Sequence, residues 1–149
     1  MLKVILRNKM RFFLAAVLLF LLVLIRAYEN ILFYDPFLLY FKGDFNSLEY
    51  PIYNLVPFIA SLVFRYGLNS VLSIGIIYLL FQDKLMIKFV AFLYALFFVF
   101  LLISFFVILY CNDFFSSWSL FYVRRFIIQP IFLVLFIPAL YYQKVTRKI

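Results

Sequence analysis

Long apolar runs separated by short charged segments dominate the chain. The first run follows a basic N-terminal stretch and extends to about residue 27, and no small-x-small cleavage site follows it. The run over residues 89–110 contains no charged side chain. Runs of this kind match the ~20 apolar residues that a helix needs to cross a bilayer. We therefore predict membrane-spanning helices over about 9–27, 64–81, 89–110 and 125–142.

The second run, residues 52–81, is longer than one crossing needs and is interrupted by Pro57 and Arg65. As a single helix it is about 45 Å long at 1.5 Å per residue, whereas the hydrocarbon core is ~30 Å thick. The pattern leaves open whether residues 52–64 lie in the interface, re-enter the membrane or extend the helix. It favours a long or kinked element that crosses the membrane over 64–81.

Residues 28–51 are acidic and aromatic, with Lys42 as their one basic residue. Within them, Asp35-Pro36 predicts a helix start, with Asp35 as N-cap and proline at the first helical position. We expect a short interfacial helix over about 36–41 whose aromatic rings lie at headgroup depth. The whole segment 28–51 is predicted to lie outside the cytoplasm.

The composition supports a membrane protein, because 69% of the residues are hydrophobic and 13% are charged, whereas soluble domains are about 45–50% apolar. Three glycines and five prolines leave no flexible linker, so we expect one membrane domain over residues 1–149. The net charge is +8. Because the basic residues flank apolar runs, membrane lipids rather than nucleic acid are the expected partners.

Charge also predicts the orientation. If the N-terminus is cytoplasmic, most basic residues lie inside and every acid except Asp83 lies outside. This positive-inside bias predicts an all-α, polytopic protein with about four transmembrane helices and both termini cytoplasmic. The basic residues placed inside are Lys3, Arg7, Lys9, Arg11, Lys84, Lys88, Lys144, Arg147 and Lys148.

Four arginines depart from this pattern, because they fall at or inside the outer membrane boundary. They are Arg26, Arg65, Arg124 and Arg125. A guanidinium group matches a carboxylate or a phosphate, so a shared partner is one explanation. Internal partners would come from Glu29, Asp35 and Asp113, and external ones would be a phospholipid headgroup or a peptide carboxylate. The alternative is that the arginines extend to headgroups or lock helices together.

A second polar pattern runs along the predicted second span at four-residue spacing. It comprises Ser61, Arg65, Asn69 and Ser73. On a continuous helix these side chains form one stripe, which should face other helices or a partner. Interhelical hydrogen bonds worth about 0.6 kcal/mol each are one explanation, and a binding groove is the other. Arg125 and Gln129 share the spacing and are expected to face this stripe.

The sequence offers little for catalysis. It has no histidine, and Cys111, its one cysteine, therefore has no histidine to activate it. We expect no enzyme activity, no cofactor and no metal site. The candidate partner- or lipid-binding residues are Arg26, Glu29, Asp35, Arg65, Asn69, Ser73, Arg124, Arg125 and Gln129.

Five segments, in this order and spacing, resemble the exosortase F system-associated family of small Bacteroidota membrane proteins. They are Arg26-Ala-Tyr-Glu-Asn, Leu32-Phe-Tyr-Asp-Pro-Phe37, Phe64-Arg-Tyr-Gly-Leu-Asn-Ser70, Leu120-Phe-Tyr-Val-Arg-Arg-Phe-Ile-Ile-Gln-Pro130 and Phe136-Ile-Pro-Ala-Leu-Tyr-Tyr-Gln143. Exosortases are inner-membrane enzymes thought to cleave C-terminal sorting signals with a Cys, Arg and His set. This chain lacks histidine, so the resemblance implies an accessory protein of the same system.

The leading hypothesis is therefore a non-catalytic inner-membrane accessory protein of an exosortase-type protein-sorting system, with an exosortase-like membrane protein as partner. The alternative is a small carrier or flippase-like protein for an anionic lipid or solute, in which the arginines line a pathway. A membrane hydrolase that uses the outer carboxylates is a third hypothesis. Recovery of an exosortase with the purified protein, or transport in liposomes, distinguishes the first two.

Overall fold

The computed structural model describes residues 8–45, 49–111 and 113–146. Within these residues the chain is helical and contains no strand, so the predicted all-α class is confirmed. Lys3, Arg7, Arg147 and Lys148 lie outside the described residues. The described helices are α1 (Lys9–Ala27), α2 (Glu29–Leu32), α3 (Phe37–Tyr40), α4 (Leu55–Phe81), α5 (Lys84–Tyr110), α6 (Ser117–Ile128) and α7 (Ile131–Thr146).

Three of these helices, α1, α4 and α5, are long and apolar enough to cross a membrane. The α6–α7 pair passes the same test together and gives a fourth candidate if it is one broken span. The bounds of α1 agree with the predicted first span, and α5 begins at Lys84, before the predicted start at residue 89. About four spans were predicted, and the structure contains three to four helices that are long and apolar enough to span a membrane.

Helix α4 shows that most of the ambiguous stretch 52–64 belongs to the second long helix. The 27 residues of α4 are continuous, which at 1.5 Å per residue corresponds to roughly 40 Å. Pro57 fits because it occupies the first turn, where backbone N–H groups have no intrahelical acceptor. The helix ends at Gln82, which has a left-handed backbone conformation with φ 55°.

The turn into α5 is built by Asp83. Its carboxylate accepts hydrogen bonds from the backbone N–H groups of Leu85, at 3.0 Å, and Met86, at 3.2 Å. This is an N-cap, which satisfies donors that have no partner within the helix. The predicted short turn at residues 82–84 is therefore present, with Gln82 and Asp83 as its two cap residues.

Helix α4 is the centre of the bundle, because α1, α5, α6 and α7 all pack against it. Helix α1 approaches α4 closely near Gly75, where an added Cβ atom would come within 3.1 Å of the Leu18 side chain. Ala15 and Leu22 are the buried residues of α1. Much of the α1 surface is therefore apolar and uncovered by the described protein.

The chain breaks between α6 and α7, and the two helices are bent by 63°. The sequence predicted one span over 125–142, and the structure shows that a span in this region is broken into two helices. Pro130 has no backbone N–H and cannot bond the carbonyl of Phe126. It also disfavours the helical region for the preceding residue, and Gln129 is extended with ψ 142°. Pro138, by contrast, lies inside α7 without interrupting it.

Residues 29–45, which follow α1, fold back onto the bundle. The rings of Phe37, with no exposed area, and Tyr40 are buried in the core. These two rings therefore pack against the protein, and their predicted position at headgroup depth stays a prediction. The predicted N-cap at Asp35 is wrong, because no side chain caps α3. The Asp35 carboxylate bonds arginines instead.

Candidate functional site: a buried arginine–carboxylate network

Three arginines and two carboxylates meet at one end of the bundle, and we call them the ion-pair network. Glu29 accepts hydrogen bonds from Arg26, at 2.5 Å, and from Arg65. Asp35 accepts from Arg65 at 3.3 Å and from Arg124 at 2.5 Å. Each carboxylate therefore holds two guanidinium groups, and Arg65 joins the two carboxylates.

The network depends on the turn that follows α1. Arg26 occupies the last turn of α1, and Glu29 begins α2 three residues later, a spacing that brings the two side chains together. Asp35 follows in the connection between α2 and α3. Arg65 comes from α4 and Arg124 from α6. The network thus ties the segment after α1 to two helices distant in sequence.

Burial separates one member of the network from the other four. Side-chain exposure is 2% for Arg65, 3% for Asp35, 5% for Arg124 and 10% for Glu29, but 45% for Arg26. Buried ions are tolerated when they are paired and hydrogen-bonded, and removing one partner leaves an uncompensated charge. The four buried groups therefore depend on one another, while Arg26 forms the rim.

Aromatic rings cover the buried guanidinium groups. The central carbon of the Arg65 guanidinium lies 5.1 Å from the Phe33 ring centroid, and that of Arg124 lies 5.5 Å from the Phe41 ring centroid. These distances fall in the range of cation–π interactions. Phe37 packs beside them, 5.4 Å from Phe58 between ring centroids. The rings exclude water from the network and extend the favourable contacts of the arginines.

Just outside α4, Tyr53 belongs to the same aromatic layer. Its ring centroid lies 5.7 Å from that of Phe37. Burial raises the pKa of the Tyr53 hydroxyl, with Tyr110 as a second cause in the same direction. The hydroxyl therefore stays protonated and uncharged at neutral pH.

The polar stripe on α4 faces the protein interior. Arg65, Asn69 and Ser73 are buried, while Ser61 is half-buried. The Asn69 side-chain amide donates a hydrogen bond of 2.9 Å to the backbone carbonyl of Ile128. Ile128 is the last residue of α6, so Asn69 holds the carbonyl that the broken helix leaves unpaired. The stripe therefore joins α4 to both the network and the break.

Two tyrosines, Tyr66 on α4 and Tyr94 on α5, form a further polar contact between helices. Neither was among the residues predicted to form the site. The Tyr66 hydroxyl donates a hydrogen bond of 2.8 Å to the backbone carbonyl of Tyr94 on α5. The hydroxyl groups of Ser73 and Tyr94 lie close to each other, without a hydrogen bond of standard geometry. A tyrosine in an apolar run carries no polar periodicity, so the sequence pattern contained no signal for this contact.

Arg125 and Gln129 lie apart from the network. Their side chains are hydrogen-bonded to each other at 3.0 Å, and this pair is exposed. The structure thus places Arg125 away from the polar stripe that it was expected to face, and puts Arg124 in its place. Asp113, the third acid considered as an internal partner, is also exposed.

The chemistry available to this site is limited by its pairing. Within the described residues, no group of three His, Cys, Asp or Glu side chains could hold a metal ion. Each carboxylate of the network is engaged by two arginines. An open groove of about 720 Å³ on α5 lies among apolar residues such as Phe92, Phe100 and Ile103, and contains none of these charged groups.

Comparisons with protein-family models, with curated proteins and with solved structures find no match. The relation to the exosortase F system-associated family therefore stays a prediction from the five sequence segments.

Proposed function

We propose that the protein is a non-catalytic accessory subunit of an exosortase-type protein-sorting system in a bacterial inner membrane. The observation that carries the proposal is a group of strongly exposed apolar side chains in the segment between α1 and α4, which also contains Glu29 and Asp35, and in the first turn of α4. Exposure is 81% for Ile31, 77% for Leu39, 99% for Ile52 and 78% for Val56. Exposed apolar residues at such a position are typical of a surface that binds another protein.

The ion-pair network supports this role by ordering that surface. Asp35 is bonded to Arg65 and Arg124, and Phe37 is buried among aromatic rings. The segment after α1 is therefore anchored close to Leu39. A preformed surface loses less conformational entropy on binding than a flexible one. We call the exposed residues Ile31, Leu39, Ile52 and Val56 the docking face.

The pairing of the charges gives the carrier hypothesis no comparable support. A transport pathway for an anion needs cationic groups that are available to the substrate. Arg65 and Arg124 are instead buried and bonded to carboxylates. The accessory role requires no such availability, because the same groups then act as structural links.

The test is a mild-detergent purification of the tagged protein from its native membrane, with identification of the proteins that accompany it. We expect an exosortase-like enzyme to accompany the wild type and to be lost from a Leu39→Ser/Ile52→Ser variant. Tyr142→Ser serves as the matched control, because Tyr142 is 74% exposed on α7 and lies outside the docking face. This control should retain the enzyme.

Two outcomes contradict the proposal. If no exosortase accompanies the wild type, the accessory role is wrong. If the enzyme accompanies the docking-face variant as well as the wild type, binding through these residues is wrong. Each variant must first give the same elution volume and thermal unfolding as the wild type, so that loss of binding is not loss of fold.

A further inference from the structure

The ion-pair network carries one more positive charge than negative charge. The charged groups that act electrostatically on Arg65 are Glu29, Asp35, Arg124 and Arg26. Together with Arg65 they make three cations and two anions. Interactions between charges are strong where water is excluded. An unmatched positive charge at such a place attracts an anion from outside the protein.

The surplus charge is accessible at one position, which is Arg26. Its side chain is 45% exposed, whereas Arg65 and Arg124 are at most 5% exposed. A guanidinium group has five N–H donors. In the described part of the chain, one hydrogen bond from Arg26 is formed, to Glu29. The remaining donors of Arg26 form no hydrogen bond with the described residues and are available to a ligand.

The surroundings of Arg26 match the parts of a phospholipid. Arg26 lies in the last turn of the apolar helix α1, where the sequence predicts the outer boundary of the membrane. Val23 is 57% exposed one turn before it, and Tyr28 is 55% exposed two residues after it. An arginine fork binds phosphate oxygens, exposed aliphatic side chains contact acyl chains, and tyrosine is typical of the headgroup layer.

We propose that Arg26, at the rim of the ion-pair network, binds the headgroup phosphate of an anionic phospholipid. The lipid supplies the negative charge that the network lacks, and its acyl chains lie along the exposed side of α1. This binding does not depend on the accessory role, because it uses a different group and a different partner. Arg125, although exposed, lies outside the network and gives no such site.

The experiment measures phosphatidylglycerol bound to the purified protein in mild detergent, by native mass spectrometry and by the shift in thermal unfolding. Wild type is compared with Arg26→Gln and with Arg125→Gln as the matched control. Losing one charge-assisted contact should weaken lipid binding about tenfold or more in Arg26→Gln. Arg125→Gln should bind as the wild type does.

The fold is expected to survive Arg26→Gln, because two guanidinium groups then face two carboxylates. Its unfolding temperature without lipid should equal or exceed that of the wild type. As a second variant, Asn30→Asp places a carboxylate on an exposed residue near Arg26. It should weaken phosphatidylglycerol binding while leaving every member of the network unchanged.

Two further arms identify the ligand. Phosphatidylcholine, which has no net charge, should stabilise the wild type less than phosphatidylglycerol does, and inorganic phosphate should not reproduce the shift. An equal shift with inorganic phosphate would overturn the assignment to a lipid. The site itself would be overturned if Arg26→Gln and Arg125→Gln lost lipid equally. It would also be overturned if neither Arg26→Gln nor Asn30→Asp lost lipid.

Discussion

Asp35 is the residue on which the site depends most. It lies in a short connection rather than in a long helix, yet its carboxylate bonds Arg65 on α4 and Arg124 on α6. Both arginines are buried, and neither can exchange the lost partner for water. A single carboxylate therefore fixes the positions of two helices and of the chain segment that precedes α4.

Neutralising Asp35 should destabilise the protein strongly. Asp35→Asn removes the negative charge between two buried guanidinium groups, and the expected cost is about 3–5 kcal/mol of unfolding free energy. Asp113→Asn is the control, because Asp113 is exposed and its replacement should cost no more than about 0.5 kcal/mol. Unfolding in detergent, followed by helical circular dichroism, measures both. Similar small effects for the two variants would contradict a buried network.

At this scale the sequence predicts much of the site. A charge inside an apolar run is costly, and this cost singles out Arg65. The sequence offers Glu29, Asp35 and Asp113 as candidate internal partners, and the first two of these bond Arg65 in the structure. It does not distinguish Arg124 from Arg125, because adjacent positions on a helix point about 100° apart. The rotation of α6 about its axis depends on where Pro130 ends the helix and on what packs against it, and local spacing contains neither.

At the scale of elements, the break between α6 and α7 is the main feature that a simple helix count misses. A proline within an apolar run is compatible both with a bent continuous helix and with two helices. Both outcomes occur in this chain: Pro138 lies inside the continuous helix α7, whereas Pro130 lies at the break between α6 and α7. At the break, a residue distant in sequence supplies a hydrogen-bond partner, because Asn69 on α4 bonds the last carbonyl of α6.

Asn69→Leu should therefore destabilise the junction of α4 with α6. The leucine has a similar volume but leaves the Ile128 carbonyl without its partner, and we expect a loss of about 0.6–1.7 kcal/mol. Ser61→Ala serves as the control, because Ser61 belongs to the same stripe but is half-buried. Equal stability of the two variants would show that the Asn69 contact contributes nothing. Thermal unfolding in one detergent compares them directly.

Other elements are predicted by the sequence with close agreement. The bounds of α1 and the turn at residues 82–84 follow from charge and apolar length, which are local properties. The segment 28–51 does not, because its aromatic rings suit a headgroup layer and a protein core equally well. The side chains of Phe37 and Tyr40 are buried in a core that includes α4 and α5, and the contacts of Phe37 with these helices are long-range.

At the scale of the whole molecule, the two ends of the bundle differ in charge. The Lys144 ammonium group donates a hydrogen bond of 2.8 Å to the carbonyl of Phe81, which places the end of α7 beside the turn into α5. Lys84 and Lys88 lie in the first turns of α5, at this same end. The ion-pair network lies at the other end, where Glu29 and Asp35 offset most of the arginine charge.

The positive-inside rule then predicts that the lysine-rich end faces the cytoplasm and the network faces outward. The account therefore predicts that the docking face and the network lie on the outer side of the inner membrane. Cys111 lies at the network end, just after α5, and is exposed. It is the one cysteine of the chain, so a single thiol reports the orientation of the molecule.

The most direct measurement is labelling of Cys111 by a membrane-impermeant maleimide in cells whose outer membrane has been permeabilised. A Cys111→Ser/Lys84→Cys variant moves the thiol to an exposed position at the opposite end. The account predicts rapid labelling of Cys111 while the inner membrane is intact, and labelling of the thiol at position 84 only after lysis. Labelling of position 84 before lysis, with Cys111 protected until lysis, would place the network in the cytoplasm and contradict the account.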